Sequence, residues 1–427
     1  MPHIHDVIVV GAGFTGLSAA LALTGRDVLV LEAADRVGGR VESARFADGT
    51  RVDTGAQFVC DDMENVMALL RRYGKTLVHT PMDGTSLVQP PGPDDDDAYL
   101  QSRALRLQLR RLDPADPAIA GLTVADWLAR QRVSTGAARA FRSTVEGLWC
   151  RPIGELPMWY LVSNDRRITN KQTEIQYFVG ETIHSLADDM AADLGDRLLT
   201  GRPVRQITVT GEGVAVAAAG RMFLARQAIV AVPPVMASRI AYEPGLPPPL
   251  AAALGAWRSG TVIKVQVRYR RPFWRDDGLS GLVAWRDPLG LFSCDVSREG
   301  AGATLVVFIA GPLALSWRQM PEPALRQAIL DRLAGALGAG AREAEAIVLR
   351  DWTDDRWCGG GYGDTIFDMQ AQDAEDILRA GAGPIHFASS ELSPSYPCYV
   401  EGAIVAGRAV AAAVGVANSG QWVANSE

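Results

Sequence analysis

The sequence predicts an α/β fold, α+β overall, in which one sheet-forming domain is interrupted by a second, mixed α+β domain. Three observations predict it. The first 32 residues read strand, glycine loop, helix, strand. Pro203 to Val232 alternates like a β-meander. A short strand at Ile385–Ala388 and a helix from about Glu401 then return near the C-terminus. Sheet-forming signals at both ends and in the middle, with mixed material between, are what a discontinuous domain with an insertion produces.

Each element has a local reason. Ile4–Val10 is an apolar strand, Gly11–Gly16 a loop, and the helix that follows runs to about Thr24. It stops at Gly25, where positive φ costs least. Val28–Leu31 is the second strand. From Pro81 to Pro93 the chain turns Pro- and Gly-rich, and the acid run Asp94–Asp97 extends this as an exposed loop. Residues 100–195 read as largely helical, with apolar residues at helical spacing around Leu122–Leu128 and Ile183–Leu194. The meander comprises Val204–Val209, a Gly211–Gly213 turn, Val214–Val216, Arg221–Leu224 and Ala228–Val232, and Pro233-Pro234 ends it. Val262–Tyr269 and Thr304–Ile309 are further strands, and Pro321–Leu337 a helix. No short-period repeat is present.

Composition narrows the function classes. A chain of 427 residues with 48% hydrophobic and 21% charged residues accommodates two domains with substantial cores. The net charge of -7 argues against nucleic acid as a partner, because phosphate binding needs a concentrated basic surface. Cys60, Cys150, Cys294, Cys358 and Cys398 are odd in number, scattered and without a C-x-x-C pair, which fits a reduced, cytoplasmic chain rather than a disulfide framework or zinc site. The N-terminus begins directly with a strand and carries no secretory pattern. No apolar run reaches a membrane span; Ala403–Val416 comes closest and is interrupted by Arg408. His3, His5, His79, His184 and His386 read as ordinary residues, and no metal site is expected.

Gly11-Ala12-Gly13-Phe14-Thr15-Gly16 follows a strand and opens a helix, the context that gives G-x-G-x-x-G its meaning. The first glycine permits the tight turn, the second lets backbone approach a pyrophosphate, and the third lets helix and strand pack. The helix N-terminus supplies NH groups and a positive dipole end. Glu32 ends the second strand about 20 residues later, where a carboxylate would accept from ribose hydroxyls. The alternative is a glycine loop used only for packing. Gly74-Lys75-Thr76 is not a P-loop, since Leu69 stands where that motif needs glycine.

After Glu32 and Ala33 come Arg36, Gly38-Gly39-Arg40 and, further on, Asp53-Thr54-Gly55-Ala56-Gln57-Phe58. Paired glycines before a cation suggest backbone close to a phosphate that Arg40 neutralises. The Glu-x-x-x-Arg-x-Gly-Gly-Arg run resembles the flavin-containing amine oxidase family, and Gly55-Ala56-Gln57-Phe58 is similar to its flavin-flanking segment. The resemblance continues through Pro203-Val204, Pro233-Pro234, Phe387-Ala388-Ser389-Ser390-Glu391 and Tyr396-Pro397-Cys398-Tyr399-Val400-Glu401-Gly402-Ala403. It implies a Rossmann-type FAD-binding domain at 1–79, 179–253 and 354–427, and an inserted substrate-binding domain at 80–178 and 254–353. It implies that the Val204 backbone meets the adenine, that Glu391 accepts from the ribityl chain, and that backbone NH near Val400 faces the flavin. Glu391 read alone could equally be a capping or surface acid.

By period two, Val262, Lys264 and Gln266 share one strand face and Ile263, Val265 and Val267 the other. From pattern alone Lys264 is a surface lysine. The resemblance to the monoamine oxidase segment, carried by Val262-Ile263-Lys264, Tyr269 and Pro272-Phe273-Trp274, implies instead a lysine that holds water near flavin N5 and assists reoxidation. It also implies an aromatic cage from Tyr399 and Tyr362, although an aromatic read alone is more often core. Gly361 stands where the animal enzymes have a flavin-linked cysteine, so non-covalent FAD is expected. Tyr396-Pro397-Cys398-Tyr399 is locally similar to the bacterial hydroxynicotine oxidases.

The implied reaction is hydride transfer from the α C–H of a small primary or secondary amine to FAD, giving an imine, with O2 regenerating the flavin and forming hydrogen peroxide. A homodimer is a family-level expectation. Two alternatives remain at this point: another member of the same fold, such as an L-amino-acid oxidase, a polyamine oxidase or a desaturase acting on an apolar substrate, and a flavoprotein-like binding or scaffold protein without turnover. An amino-acid oxidase needs an arginine for the carboxylate; Arg142, Arg166 and Arg286 are the candidates.

Overall fold

A computed structural model describes residues 3–92, 95–300 and 302–417. The chain divides into two compact units, one of Met1–Gly39, Ser185–Trp257 and Asp373–Glu427, the other of Arg40–His184 and Arg258–Gln372. Residues 40–79, 179–184 and 354–372 thus fall in the second unit.

In the first unit, Ile4–Val10 pairs in parallel with both Val28–Leu31 and Arg221–Val230. Leu198–Leu199 extends the sheet beyond Val28–Leu31, and Ile385–Phe387 joins the last third of Arg221–Val230, also in parallel. A parallel strand covered on both faces is apolar throughout, as Ile8, Val9, Val30, Ile229 and Val230 show at 0% exposure. The helix Phe14–Ala22 lies against the C-terminal helix Val400–Ala417. Gly407 allows this approach, because a Cβ there would meet Thr15 O at 2.3 Å.

The meander differs from its expected form in one respect. Arg221–Leu224 and Ala228–Val232 are parts of one strand, Arg221–Val230, which pairs antiparallel with Gly213–Ala218 at its start and in parallel with Ile4–Val10 along most of its length. Gln227, in the gap between the two expected strands, is buried at 3% exposure.

The second unit is built on a six-stranded sheet. Its order is Ala346–Asp351, Val262–Tyr269, Ala303–Ala310, Leu291–Asp295, Leu279–Trp285 and Thr85–Gln89. One face carries Ile263, Val265 and Val267, which pack with Leu325, Ile329 and Leu333 of the helix Glu322–Leu337. Each such side chain contributes about 1.5–3 kcal/mol on burial. Near the opposite face a small sheet of Phe58–Val59, Tyr177–Val179 and Leu77–His79 brings Phe178 and Phe58 against Cys294, Val306 and Phe308. Both faces of Val262–Tyr269 are therefore covered. The acid run also departs from its expected form: Asp95 begins the helix Asp95–Leu109. Pro93 and Asp94 lie outside the described residues.

Candidate active site

The glycine loop of the first unit has the shape its sequence implies. Gly11 adopts φ +100°, and a Cβ on it would fall 2.9 Å from Ala231 O. A Cβ on Gly16 would overlap Gly11 O at 1.9 Å. Gly13 is different, since a Cβ there would meet nothing nearer than Gly38 O at 4.0 Å. Packing within the protein does not require glycine at this position, and the open space lies at the N-cap of Phe14–Ala22. No side chain caps that helix, so the NH groups of its first turn, including those of Phe14, Thr15 and Gly16, lack helical partners. The residues present fit a dinucleotide pyrophosphate.

Glu32 is turned onto the loop. Ala12 N–H donates to its Oε2 at 2.6 Å and Ala34 N–H to its Oε1 at 2.8 Å. Burial pushes its carboxyl above the usual range, against these amides and the nearby Arg36. The carboxylate thus orients the loop with one lone pair of each oxygen and keeps others for a hydroxyl. Arg36, quoted in the sequence motif without a role, donates to Val37 O at 3.1 Å and Gly39 O at 3.0 Å and so holds the paired-glycine turn. Ala33 follows Glu32 directly, and Val204 begins the strand Val204–Thr210.

Near the C-terminus Glu391 has 0% exposure, which excludes the surface-acid alternative. Ser390 Oγ donates to its Oε2 at 3.0 Å. Tyr396 and Cys398 flank Pro397 with φ of 49° and 68°, a left-handed conformation that non-glycine residues rarely adopt. Gly402 then fits under Tyr396, where a Cβ would lie 2.1 Å from its carbonyl oxygen. This turn sets Tyr399 edge-on to Tyr396, with ring centroids 6.0 Å apart, and leads directly into Val400. Ala403 N–H donates to Tyr399 O at 3.0 Å.

In the second unit the segment from Asp53 to Phe58 runs beside the strand Val262–Tyr269. Gly55 has to be glycine, because a Cβ would come within 2.2 Å of Arg40 O. Ala56 N–H donates to Arg40 O at 3.1 Å. Lys264 Nζ donates to Gly55 O at 2.7 Å, and Gln266 Nε2 donates to Asp53 O at 2.8 Å and Gln57 Oε1 at 3.0 Å. Lys264 is 2% exposed, so the surface-lysine reading from alternation is corrected: period two separates two faces but does not tell which is wet. Burial pushes Lys264 down to about 7, against the attraction of Asp53. Burial pushes Asp53 up to about 7, against Lys264, Arg298 and the Ile183 amide.

Around Lys264 stand the expected Phe58 and Tyr362 and two aromatics that the sequence did not single out, Phe308 and Phe292. Phe308 is its direct cross-strand partner, and Nζ lies 5.3 Å from that ring centroid. Phe292, Phe58 and Tyr362 have ring centroids 6.2, 6.4 and 6.0 Å from Phe308. The alternation of Thr304, Val306 and Phe308 was the available signal, but assigning its partner requires the register. Arg40 Nη1 donates to Tyr362 O at 3.1 Å. The loop before Tyr362 is held by Asp355, which accepts from Trp357 and Cys358 NH groups at 2.9 and 2.8 Å and from Arg350 at 2.6 Å. Burial raises the Asp355 carboxyl, but Arg350 and the two amides outweigh it and hold it below the usual range. Tyr362 and Tyr399 belong to different units.

The three candidate carboxylate-binding arginines have other partners. Arg142 pairs with Glu146 at 3.0 Å, Arg166 donates to Leu112 O at 3.1 Å, and Arg286 donates to Pro90 O at 2.8 Å. At the surface, His3 and His5 hydrogen-bond Asp27 at 2.6 and 3.1 Å. Among the described residues no helix is long and apolar enough to cross a membrane.

Parallel sheet, open glycine loop and buried acid define a dinucleotide-binding protein of the α/β class. The chain belongs to the family of flavin containing amine oxidoreductases, whose sequence pattern matches residues 14–415. It is 27% identical to an L-amino acid dehydrogenase of Synechocystis sp., over 96% of this chain and 94% of that one. It is 29% identical to a putrescine oxidase of Kocuria rosea, over 96% of this chain and 95% of that one. Among solved structures it resembles the cyclohexylamine oxidase from Brevibacterium oxydans, with TM-score 0.91 and 27% identity, covering 98% of this chain and 100% of that one. The protein is thus a flavin-dependent oxidoreductase acting on amines, with FAD as its cofactor.

Proposed function

We propose that this chain oxidises a small primary or secondary amine at its α carbon. Bound FAD would supply the two-electron chemistry, by which the α hydride and the N–H proton of the amine would end on O2 as hydrogen peroxide, leaving an imine to hydrolyse. The observation that carries this reading is the buried Lys264, held on Gly55 O beside the segment that matches the family's flavin-flanking motif.

The chain's own residues divide the work. Gly11, Gly13, Phe14, Thr15 and Gly16 bind the pyrophosphate, Glu32 with Ala33 binds the ribose side, and Arg40 neutralises phosphate. Gly55, Ala56, Gln57 and Phe58 flank the ring system, Val204 meets the adenine, and Ser390 with Glu391 takes the ribityl hydroxyls. The NH groups near Val400, at the helix start that precedes Ala403, offset negative charge on the cofactor. Tyr399 and Tyr362 present ring faces to the amine, and Lys264 holds water and a positive charge for the oxygen step. FAD is held without a covalent bond: position 361 is glycine, and a Cβ there would stand 2.9 Å from Val262 Cγ1. A cytoplasmic location and a homodimer complete the proposal.

An L-amino acid as substrate is the second reading, favoured by the identity to the Synechocystis relative. The protein partners of Arg142, Arg166 and Arg286 weigh against it. Peroxide release decides between them. Turnover with putrescine, cyclohexylamine or a related small amine supports the first reading; turnover with L-amino acids alone supports the second. A flavin that neither small amines nor L-amino acids reduce would leave neither.

A further inference from the structure

The proposed chemistry uses Lys264 but does not account for Asp53, a carboxylate with 0% exposure in the same unit. Its Oδ1 accepts from Ile183 N–H at 3.0 Å, while Oδ2 is buried without a hydrogen-bond partner among the described residues. A buried carboxylate with an unsatisfied oxygen is costly unless a cation compensates it.

The register points to Lys264 as that cation, acting from its bond to Gly55 O rather than through a hydrogen bond to Asp53 Oδ2. Lys264 and Gln266 project from the same face of one strand, and both are fastened to the segment that carries Asp53. Lys264 Nζ binds Gly55 O, two residues from Asp53, and Gln266 Nε2 binds Asp53 O itself. The two bonds fix the register between Lys264 and Asp53. An ammonium carries three donors, of which Gly55 O takes one. Phe308 offers the face of a ring at 5.3 Å, a weak compensation for a cation out of water.

We propose that Asp53 is a positioning residue that keeps the buried side chain of Lys264 in its ammonium form. The groups facing Lys264 are few. Asp53 stabilises the charge, Arg298 opposes it, and the Cys294 thiol is pushed up by burial and stays neutral. Asp53 also faces Arg298 and Arg51. Arg298 lies over the Phe178 ring, 5.1 Å from its centroid, and donates to Val179 O at 3.4 Å, while its outer side lines a surface pocket with Arg270, Arg271 and Arg275. The consequence for reoxidation rests on the role proposed above for Lys264; the charge pairing does not.

The chain contains three lysines, Lys75, Lys171 and Lys264, which makes the pairing directly observable. The flavin-loaded protein is labelled with lysine carrying 13C at Cε, and the three signals are followed by NMR as a function of pH; loss of one signal in Lys264→Met assigns it. In Asp53→Asn the titration midpoint of Lys264 falls by about 1–3 pH units, the usual effect of an opposite charge at close range. If that variant does not fold, Asp53→Ser, smaller and equally uncharged, gives the same decision with the same sign. A Lys264 midpoint that neither substitution moves overturns the proposal. Failure of the Lys264 role itself has a different signature: unchanged oxygen reactivity in Lys264→Met, whatever the NMR midpoint.

Discussion

Lys264 Nζ donates to the main-chain oxygen of Gly55 at 2.7 Å, tying a fully covered cation to a glycine that has no room for a side chain. The bond spans 209 residues of sequence, and it fixes which part of the sheet meets the Asp53–Phe58 segment. Replacing Lys264 by Met removes the charge at similar volume. Reduction by amine should survive, while reoxidation by O2 slows by about 100-fold, the scale of losing one electrostatic stabiliser. Stopped-flow mixing of reduced enzyme with O2 measures it; an unchanged rate removes Lys264 from the mechanism.

The pH dependence follows from the same residue. Burial lowers Lys264 to about 7, so the ammonium is present below that value and lost above it. Reoxidation of pre-reduced enzyme should therefore fall as pH rises through about 7. Isolating that half-reaction matters, because the amine substrate reacts as the neutral base and its own step accelerates with pH. A reoxidation rate that rises over this interval contradicts the assignment.

Gly55→Ala tests the packing. Its Cβ would lie 2.2 Å from Arg40 O and 2.7 Å from Glu42 N, both main-chain atoms that cannot swing aside. A cost of about 1–3 kcal/mol is expected, seen as a lower thermal midpoint together with faster flavin loss on dilution. A variant as stable as the parent would mean that the segment relaxes freely.

Glu32→Gln tests the loop. One oxygen remains to accept from Ala12 or Ala34, and the new amide opposes the other NH, leaving a buried donor unsatisfied at about 1–3 kcal/mol. FAD affinity should drop by roughly 10- to 100-fold, since about 1.4 kcal/mol is tenfold. Titration of apoprotein with FAD reads this directly.

Acid precipitation of the native protein tests attachment. Gly361 carries no nucleophile, and the neighbouring Cys358 is 5% exposed with its NH held by Asp355. The flavin colour should stay in the supernatant. A yellow pellet would identify a covalent link and direct attention to Cys358.

Much of the fold was legible because its signals are local. Gly11, Gly16 and Glu32 occupy a strand–loop–helix–strand whose spacing alone implies the loop the structure has. The helix starting at Val400 and the strand Val262–Tyr269 were likewise readable from runs of apolar residues. What escaped depends on partners distant in sequence. Alternation sorted Lys264 from Val265 but could not reveal that Phe178 and Phe308 cover the lysine's side. Phe308 and Phe292 gain their positions from register with Val262–Tyr269 and with each other, which no single strand records. Residues 225–227 fall between two expected strands, yet one strand runs through them, with Ala225 paired on both edges and Gln227 paired with Val7. Asp95 lies at the start of a helix rather than in a loop.

Anaerobic titration with a small amine tests the central claim most directly. The flavin absorbance of the purified protein should bleach with one equivalent of a primary or secondary amine, and admitted O2 should restore it with release of one equivalent of peroxide. A flavin that no amine bleaches, but that an L-amino acid reduces, would contradict the account and move the substrate to the second reading.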